Sequence, residues 1–101
     1  IVSWIGDKTG TVKGTLTIEN CTVENMVCES DDDSLFAACP IVSWAELREG
    51  QFLKVENCTV KSFKMASHVK APSGTDEFVK INNYNNTSIM ENYTSNNNTM
   101  N

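Results

Sequence analysis

The chain contains no run of 18 or more apolar residues, so nothing in it has the length or composition of a membrane-crossing helix. Positive charge is scarce as well. Eight Lys and Arg stand against thirteen Asp and Glu, a formal charge of -5. That balance repels a phosphate backbone and an anionic lipid surface, which argues against nucleic acid as a partner and against membrane insertion. Histidine occurs only as His68 and arginine only as Arg48. One imidazole without an evident nucleophile or orienting acid makes no catalytic triad. The four cysteines lack Cys-x-x-Cys spacing, so with a single histidine they form no zinc pattern. Asp31, Asp32 and Asp33 are adjacent rather than alternating, which reads as a solvated turn and not as a calcium loop. The sequence thus points to no enzyme, no metal and no cofactor. It opens on Ile1, without a basic n-region or a cleavage signature, and is expected to be a mature chain or an excised fragment.

What the sequence does have is internal repetition. Ile1-Val2-Ser3-Trp4 returns as Ile41-Val42-Ser43-Trp44, each copy followed six residues later by a glycine, Gly10 or Gly50. Ile18-Glu19-Asn20-Cys21-Thr22-Val23 returns as Val55-Glu56-Asn57-Cys58-Thr59-Val60. The two spacings are 40 and 37 residues, in the range where one repeat cannot bury its own apolar face and stacks on a neighbour. Repeat one is expected over 1-40 and repeat two over 41-77. A degenerate third repeat is expected over 78-101, where Phe78-Val79 follows Ile41-Val42 by 37 and Met90-Glu91-Asn92 echoes Val55-Glu56-Asn57 by 35. This last stretch is rich in asparagine and is expected to be ordered by packing, glycans or a neighbour.

Period-two alternation from Thr11 to Val23 and from Phe52 to Val60 predicts strands, with Leu16, Ile18, Leu53 and Val55 facing inward. The inward parity switches at Asn20 and Asn57, which predicts a bend at each. The one helical candidate is Ser43 to Glu49. The chain therefore reads as all-β. Trp4 and Trp44, at equivalent repeat positions, are expected to stack on one another in or beside the core.

The phrases over 14-25 and 51-62, Gly14-Thr15-Leu16-Thr17-Ile18-Glu19-Asn20-Cys21-Thr22-Val23-Glu24-Asn25 and its second copy, resemble the repeat unit of right-handed parallel β-helix proteins. The likeness is greatest to the surface and adhesin-like branch that includes the polymorphic outer-membrane proteins. The resemblance implies a short parallel β-helix, a solenoid of two to three coils with open ends. It also implies a ladder of turn asparagines made of Asn20, Asn57 and either Asn92 or Asn83. Coils stacked in register would bring Cys21 and Cys58 within disulfide reach, leaving Cys28 and Cys39 to close the loop between them. Such a fold would be disulfide-stapled.

The ends of so short a coil must be covered. Because the first repeat opens with Ile1, Val2 and Trp4, the pattern the second repeat accepts, the expected partner is a second copy of the chain. Head-to-tail contact that does not close builds a fibre. The expected function is a self-assembling structural subunit of an extracellular filament or surface coat. Covalent N-glycans are expected at Asn86, Asn92 and Asn97, with Asn20, Asn57 and Asn85 also standing in Asn-x-Ser/Thr triplets. The alternative is a binding domain of a surface glycoprotein, either adhesin-type or an immunoglobulin-like sandwich. For the sandwich the order Cys28, Trp44, Cys58 speaks, together with a Cys28-Cys58 bond.

Overall fold

The computed structural model describes residues 1-7, 9-28, 39-65, 75-83 and 86-101, with Cys28 and Met65 described by their backbone. Asp31, Asp32, Asp33, His68 and Asn85 lie outside the described residues, as does the side chain of Cys28. Among the described residues there are ten short strands: β1 (Gly14–Glu19), β2 (Thr22–Glu24), β3 (Val27–Cys28), β4 (Val42–Ala45), β5 (Gln51–Glu56), β6 (Thr59–Lys61), β7 (Lys64–Met65), β8 (Val79–Ile81), β9 (Tyr93–Asn96) and β10 (Thr99–Met100). A 3₁₀ turn, Met90–Asn92, precedes β9. The fold is all-β, as the alternation predicts.

Among the described residues every pairing is parallel. The strands fall into three rows: β1 to β3 in the first, β4 to β7 in the second, and β8 to β10 in the third. Sheets run across the rows in the orders β1-β5-β9, β10-β6-β2, β3-β7 and β4-β8. The first row pairs with the second at both sequence spacings. Val2 bridges Val42 and Ile5 bridges Ala45, forty residues on, whereas Ile18 pairs with Val55 and Thr22 with Thr59, thirty-seven on. The extra residues lie between Ile5 and Gly14, in the segment opposite the tighter Glu46 to Gly50 corner. An immunoglobulin-like sandwich is built from antiparallel sheets, so the exclusively parallel pairing removes that alternative as the fold.

The one helical candidate, Ser43 to Glu49, is not helical. Val42 to Ala45 is strand β4 instead, drawn into pairing with Val79 and Ile81. A helix of only a turn or two repays little of its nucleation cost, while a strand of four residues completes its ladder at once.

Side-chain alternation along β5 sends Leu53 and Val55 inward and leaves Phe52 and Lys54 exposed. The core is centred on the second row, where Ile41, Val42, Ala45, Leu53, Val55, Cys58 and Val60 are buried, joined by Val79 and Ile81 from the third. At Asn20 and Asn57 the chain turns with φ of 57° and 53°, in the left-handed region that asparagine tolerates better than most residues. These are the predicted bends. Past each bend the inward parity restarts at Val23 and Val60.

Among the described residues no disulfide staples the fold. Cys21, Cys39 and Cys58 are free thiols, so neither Cys21-Cys58 nor Cys28-Cys39 is formed. Although Cys21 and Cys58 lie between the register pairs, each sulfur turns to a carbonyl. Cys21 Sγ donates to Glu19 O at 3.3 Å and Cys58 Sγ to Glu56 O at 3.4 Å. In place of the staple that the resemblance implies, the described residues offer burial in the second row.

Candidate functional site: two open strand edges

The first row is covered on one side only. Among the described residues β1 pairs with β5 alone and β2 with β6 alone. The effect on equivalent side chains is large: Leu16 is 43% exposed, whereas its register partner Leu53 is 1% exposed. Val23 is half-buried over a fully buried Val60. Ile1 and Trp4, expected at an assembly face, are 58% and 54% exposed, and Val2 is half-buried against the core. Trp4 stacks on Trp44 at 5.3 Å between ring centroids and 10° between planes, beside the core as anticipated. Lys80 Nζ lies 5.1 Å from the Trp44 ring centroid, a cation-π contact contributed by the third row. Sequence reading missed Lys80, because the echo of Ile41-Val42 in Phe78-Val79 stops just before it.

The third row bounds the opposite end. There β9 pairs with β5 alone and β10 with β6 alone among the described residues. Its inward positions are less apolar: Tyr93 matches Leu53 and Ser95 matches Val55, while Met100 matches Val60. The Tyr93 hydroxyl donates to Asp76 Oδ2 at 2.5 Å, and Asp76 Oδ1 accepts the Phe78 and Val79 N–H groups that open β8. Burial first, and then this hydrogen bond to Asp76, push the Tyr93 phenol well above its usual range. Burial likewise pushes the nearby Cys39 thiol up to about 11, with the Asp76 carboxylate adding to the effect.

Asparagine stands at the corner between the β1-β5-β9 and β10-β6-β2 sheets in each row, as Asn20, Asn57 and Asn97. Asn97 has φ of 56° and donates from Nδ2 to Asn57 Oδ1 at 2.8 Å. The third rung is therefore Asn97, not Asn92 or Asn83. Asn92 precedes β9 and its Nδ2 donates to Arg48 O at 3.3 Å, while Asn83 Oδ1 accepts the Ser88 N–H. The signal was available in the sequence. Asn97 and Thr99 follow Asn57 and Thr59 by forty residues, the spacing of the opening repeat, and the competing echo at 35 obscured it. Thr99 Oγ1 contacts Thr59 Oγ1 at 3.3 Å, and Asn98 Oδ1 accepts the Cys58 N–H, so the second and third rows are tied together around this corner.

Of the triplet asparagines, Asn20, Asn57, Asn86 and Asn97 are exposed and Asn92 is half-buried. The other corner of the first row is a hydrogen-bonded loop. Asp7 accepts from the Thr9 hydroxyl and from the Thr9 and Val12 N–H groups. The Thr9 hydroxyl and the Val12 N–H hold its carboxyl at about 2. Gln51 Nε2 donates to Val12 O and Lys13 Nζ to Glu49 O, fastening this loop to the second row. Gly50 turns here at φ 76°, and a Cβ on it would stand 2.7 Å from Lys13 Cδ. A pocket of about 320 Å³ opens beside the loop, with Val12, Leu16 and Phe52 among its lining.

Among the described residues no group of three His, Cys, Asp or Glu could hold a metal ion, and no helix is long and apolar enough to cross a membrane. No family model, curated protein or solved structure matches the chain.

Proposed function

We propose that this chain is a short parallel β-helix whose function is structural: a subunit that stacks head to tail into an extracellular filament or surface coat. The observation that carries this reading is the pair of half-covered strand rows at opposite ends of one parallel stack. Leu16, Trp4 and Ile1 are exposed at one end, and β9 and β10 are paired on one side at the other. Such edges are templates for further pairing. A contact between opposite ends repeats without closing, which is the geometry of a fibre. The partner is a second copy of the chain.

The extracellular assignment rests on the six Asn-x-Ser/Thr triplets, most of whose described asparagines are exposed. An N-glycan at the exposed Asn86 would keep a filament soluble. Cys39 and Cys58 are buried and need no reducing compartment to persist as thiols. The reading includes no catalytic step, cofactor, nucleic acid or membrane insertion.

The test is negative-stain electron microscopy of the native protein at micromolar concentration beside a Trp4→Asp variant. Regular fibres that vanish in the variant are expected. Dispersed particles in both samples would overturn the filament reading and leave a monomeric binding module.

A further inference from the structure

We propose, building on the filament reading, a single docking register: Tyr93, Asn97 and Thr99 of one copy sit on Leu16, Asn20 and Thr22 of the next, with Lys80 against the next copy's Trp4. This register continues the one the chain uses between its own rows.

Three observations converge on it. The first is the direction of the unpaired backbone groups. Gly14 and Asn20 donate to Gly50 O and Glu56 O, so the even-numbered residues of β1 aim at β5 and Thr15, Thr17 and Glu19 aim their N–H and C=O groups at the open edge. In the third row Asn96 O accepts from Asn57 N, so Tyr93 and Ser95 aim theirs at the opposite open edge. In the proposed register the Ser95 N–H donates to the next copy's Thr17 C=O, and the Ser95 C=O accepts from its Glu19 N–H. A slip of one residue would set outward side chains against inward ones.

The second observation is charge. Glu19 lies beside Glu56 in the first pairing, two carboxylates on one sheet face. The third row replaces them with Asn96, whose Nδ2 donates to Glu56 Oε1 at 3.3 Å. Docking in register brings the same amide to the next copy's Glu19 and avoids a second like-charge contact. A head-to-head arrangement would instead gather Glu19 and Glu24 from both copies at one edge.

The third is the ring column. Trp4 lies on one side of Trp44 and Lys80 contacts Trp44 from the third row. The 54% exposed Trp4 offers an incoming Lys80 the same kind of ring face that Trp44 presents to Lys80 within the chain.

The test is cysteine cross-linking within fibres. In a Cys21→Ser background, Thr22→Cys and Thr99→Cys are combined in one chain and oxidised mildly with copper phenanthroline. Both sites are exposed. Within one chain they are two strand spacings apart, roughly 9.6 Å, too far for a disulfide, so any bond joins two copies. The expected result is a ladder of covalent oligomers on a non-reducing gel, absent from the single variants and from a Thr17→Cys/Thr99→Cys control. Fibres visible by microscopy with no ladder, or with a ladder from the control instead, would overturn the register and leave the filament reading standing. Absence of fibres from the unmodified protein would overturn both.

Discussion

Asn97 donates its side-chain amide to Asn57 across a 2.8 Å hydrogen bond, and both residues hold the left-handed backbone conformation, at φ 56° and 53°. The bond joins two corners forty residues apart in sequence, each of which turns its row from one sheet to the next. Shape and ladder are thus set by the same residue type. Asparagine supplies the tolerated positive φ, and its amide supplies the contact between rows.

Replacing Asn57 by alanine removes the hydrogen bond and also removes the short polar side chain that makes the left-handed region tolerable, at a combined cost of about 2 kcal/mol. Glycine removes only the bond and should cost about 1 kcal/mol. Urea denaturation should rank stability as wild type, then Asn57→Gly, then Asn57→Ala. Equal midpoints for the two variants would contradict the backbone argument.

Leu16 and Leu53 are register partners that differ in cover. Leu53→Ala opens a cavity in the second row and should cost about 2 to 5 kcal/mol. Leu16→Ala should cost the dispersed chain less than about 1.5 kcal/mol, because much of that side chain already meets water. Its larger effect should fall on fibre formation, read by light scattering at matched concentration.

Alkaline pH should destabilise the fold through Cys39 and Tyr93. Both groups are raised in the folded state, so each favours folding while it stays neutral. For Cys39 that contribution is complete below about pH 8.5 and is lost as pH climbs toward its folded value of about 11. Tyr93 adds a loss that begins near pH 10. Thermal midpoints should therefore fall above pH 8.5, and a Cys39→Ala/Tyr93→Phe double variant should show a flatter decline. A decline of the same slope in the double variant would assign the effect elsewhere.

Thiol reactivity should follow cover. Cys21 is half-buried, while Cys39 and Cys58 are buried. Iodoacetamide applied to the native protein should label Cys21 first and reach Cys39 and Cys58 only on unfolding. A Cys21-Cys58 bond in a non-reducing peptide map would contradict the free-thiol arrangement.

Glycan occupancy should discriminate among the triplets. Asn86 is exposed, whereas the Nδ2 atoms of Asn92 and Asn97 donate to Arg48 O and Asn57 Oδ1. Glycosylation at that nitrogen would disturb either bond. Peptide mapping after expression through a secretory pathway should find Asn86 occupied and Asn92 and Asn97 largely unmodified. The reverse pattern would mean that neither hydrogen bond is kept in the glycoprotein.

Much of the architecture was legible because repetition and alternation are physical signals. Equal inward positions at spacings of 40 and 37 became the register pairs of β1 with β5 and of Val2 with Val42, and the parity switch at Asn20 became a corner. The third row was harder to read. Its inward positions hold Tyr93 and Ser95 in place of leucine and valine, so the apolar period fades where the edge begins. Loop length also varies at the corner before β5 and β9, which moves the true spacing to forty and made Asn92 the wrong choice of rung. The cysteines misled because equivalent sequence positions guarantee proximity but not a bond. Their sulfurs turn to the Glu19 and Glu56 carbonyls, a choice that spacing does not encode.

The most direct test of head-to-tail stacking is the axial rise per subunit in fibres, measured by cryo-electron microscopy. Three rows of parallel strands joined in continuous register predict a rise of about 14 Å, three strand spacings, with every copy pointing the same way. Fibres with copies in alternating directions, a rise that is not three strand spacings, or a protein that remains dispersed under all conditions would contradict the account.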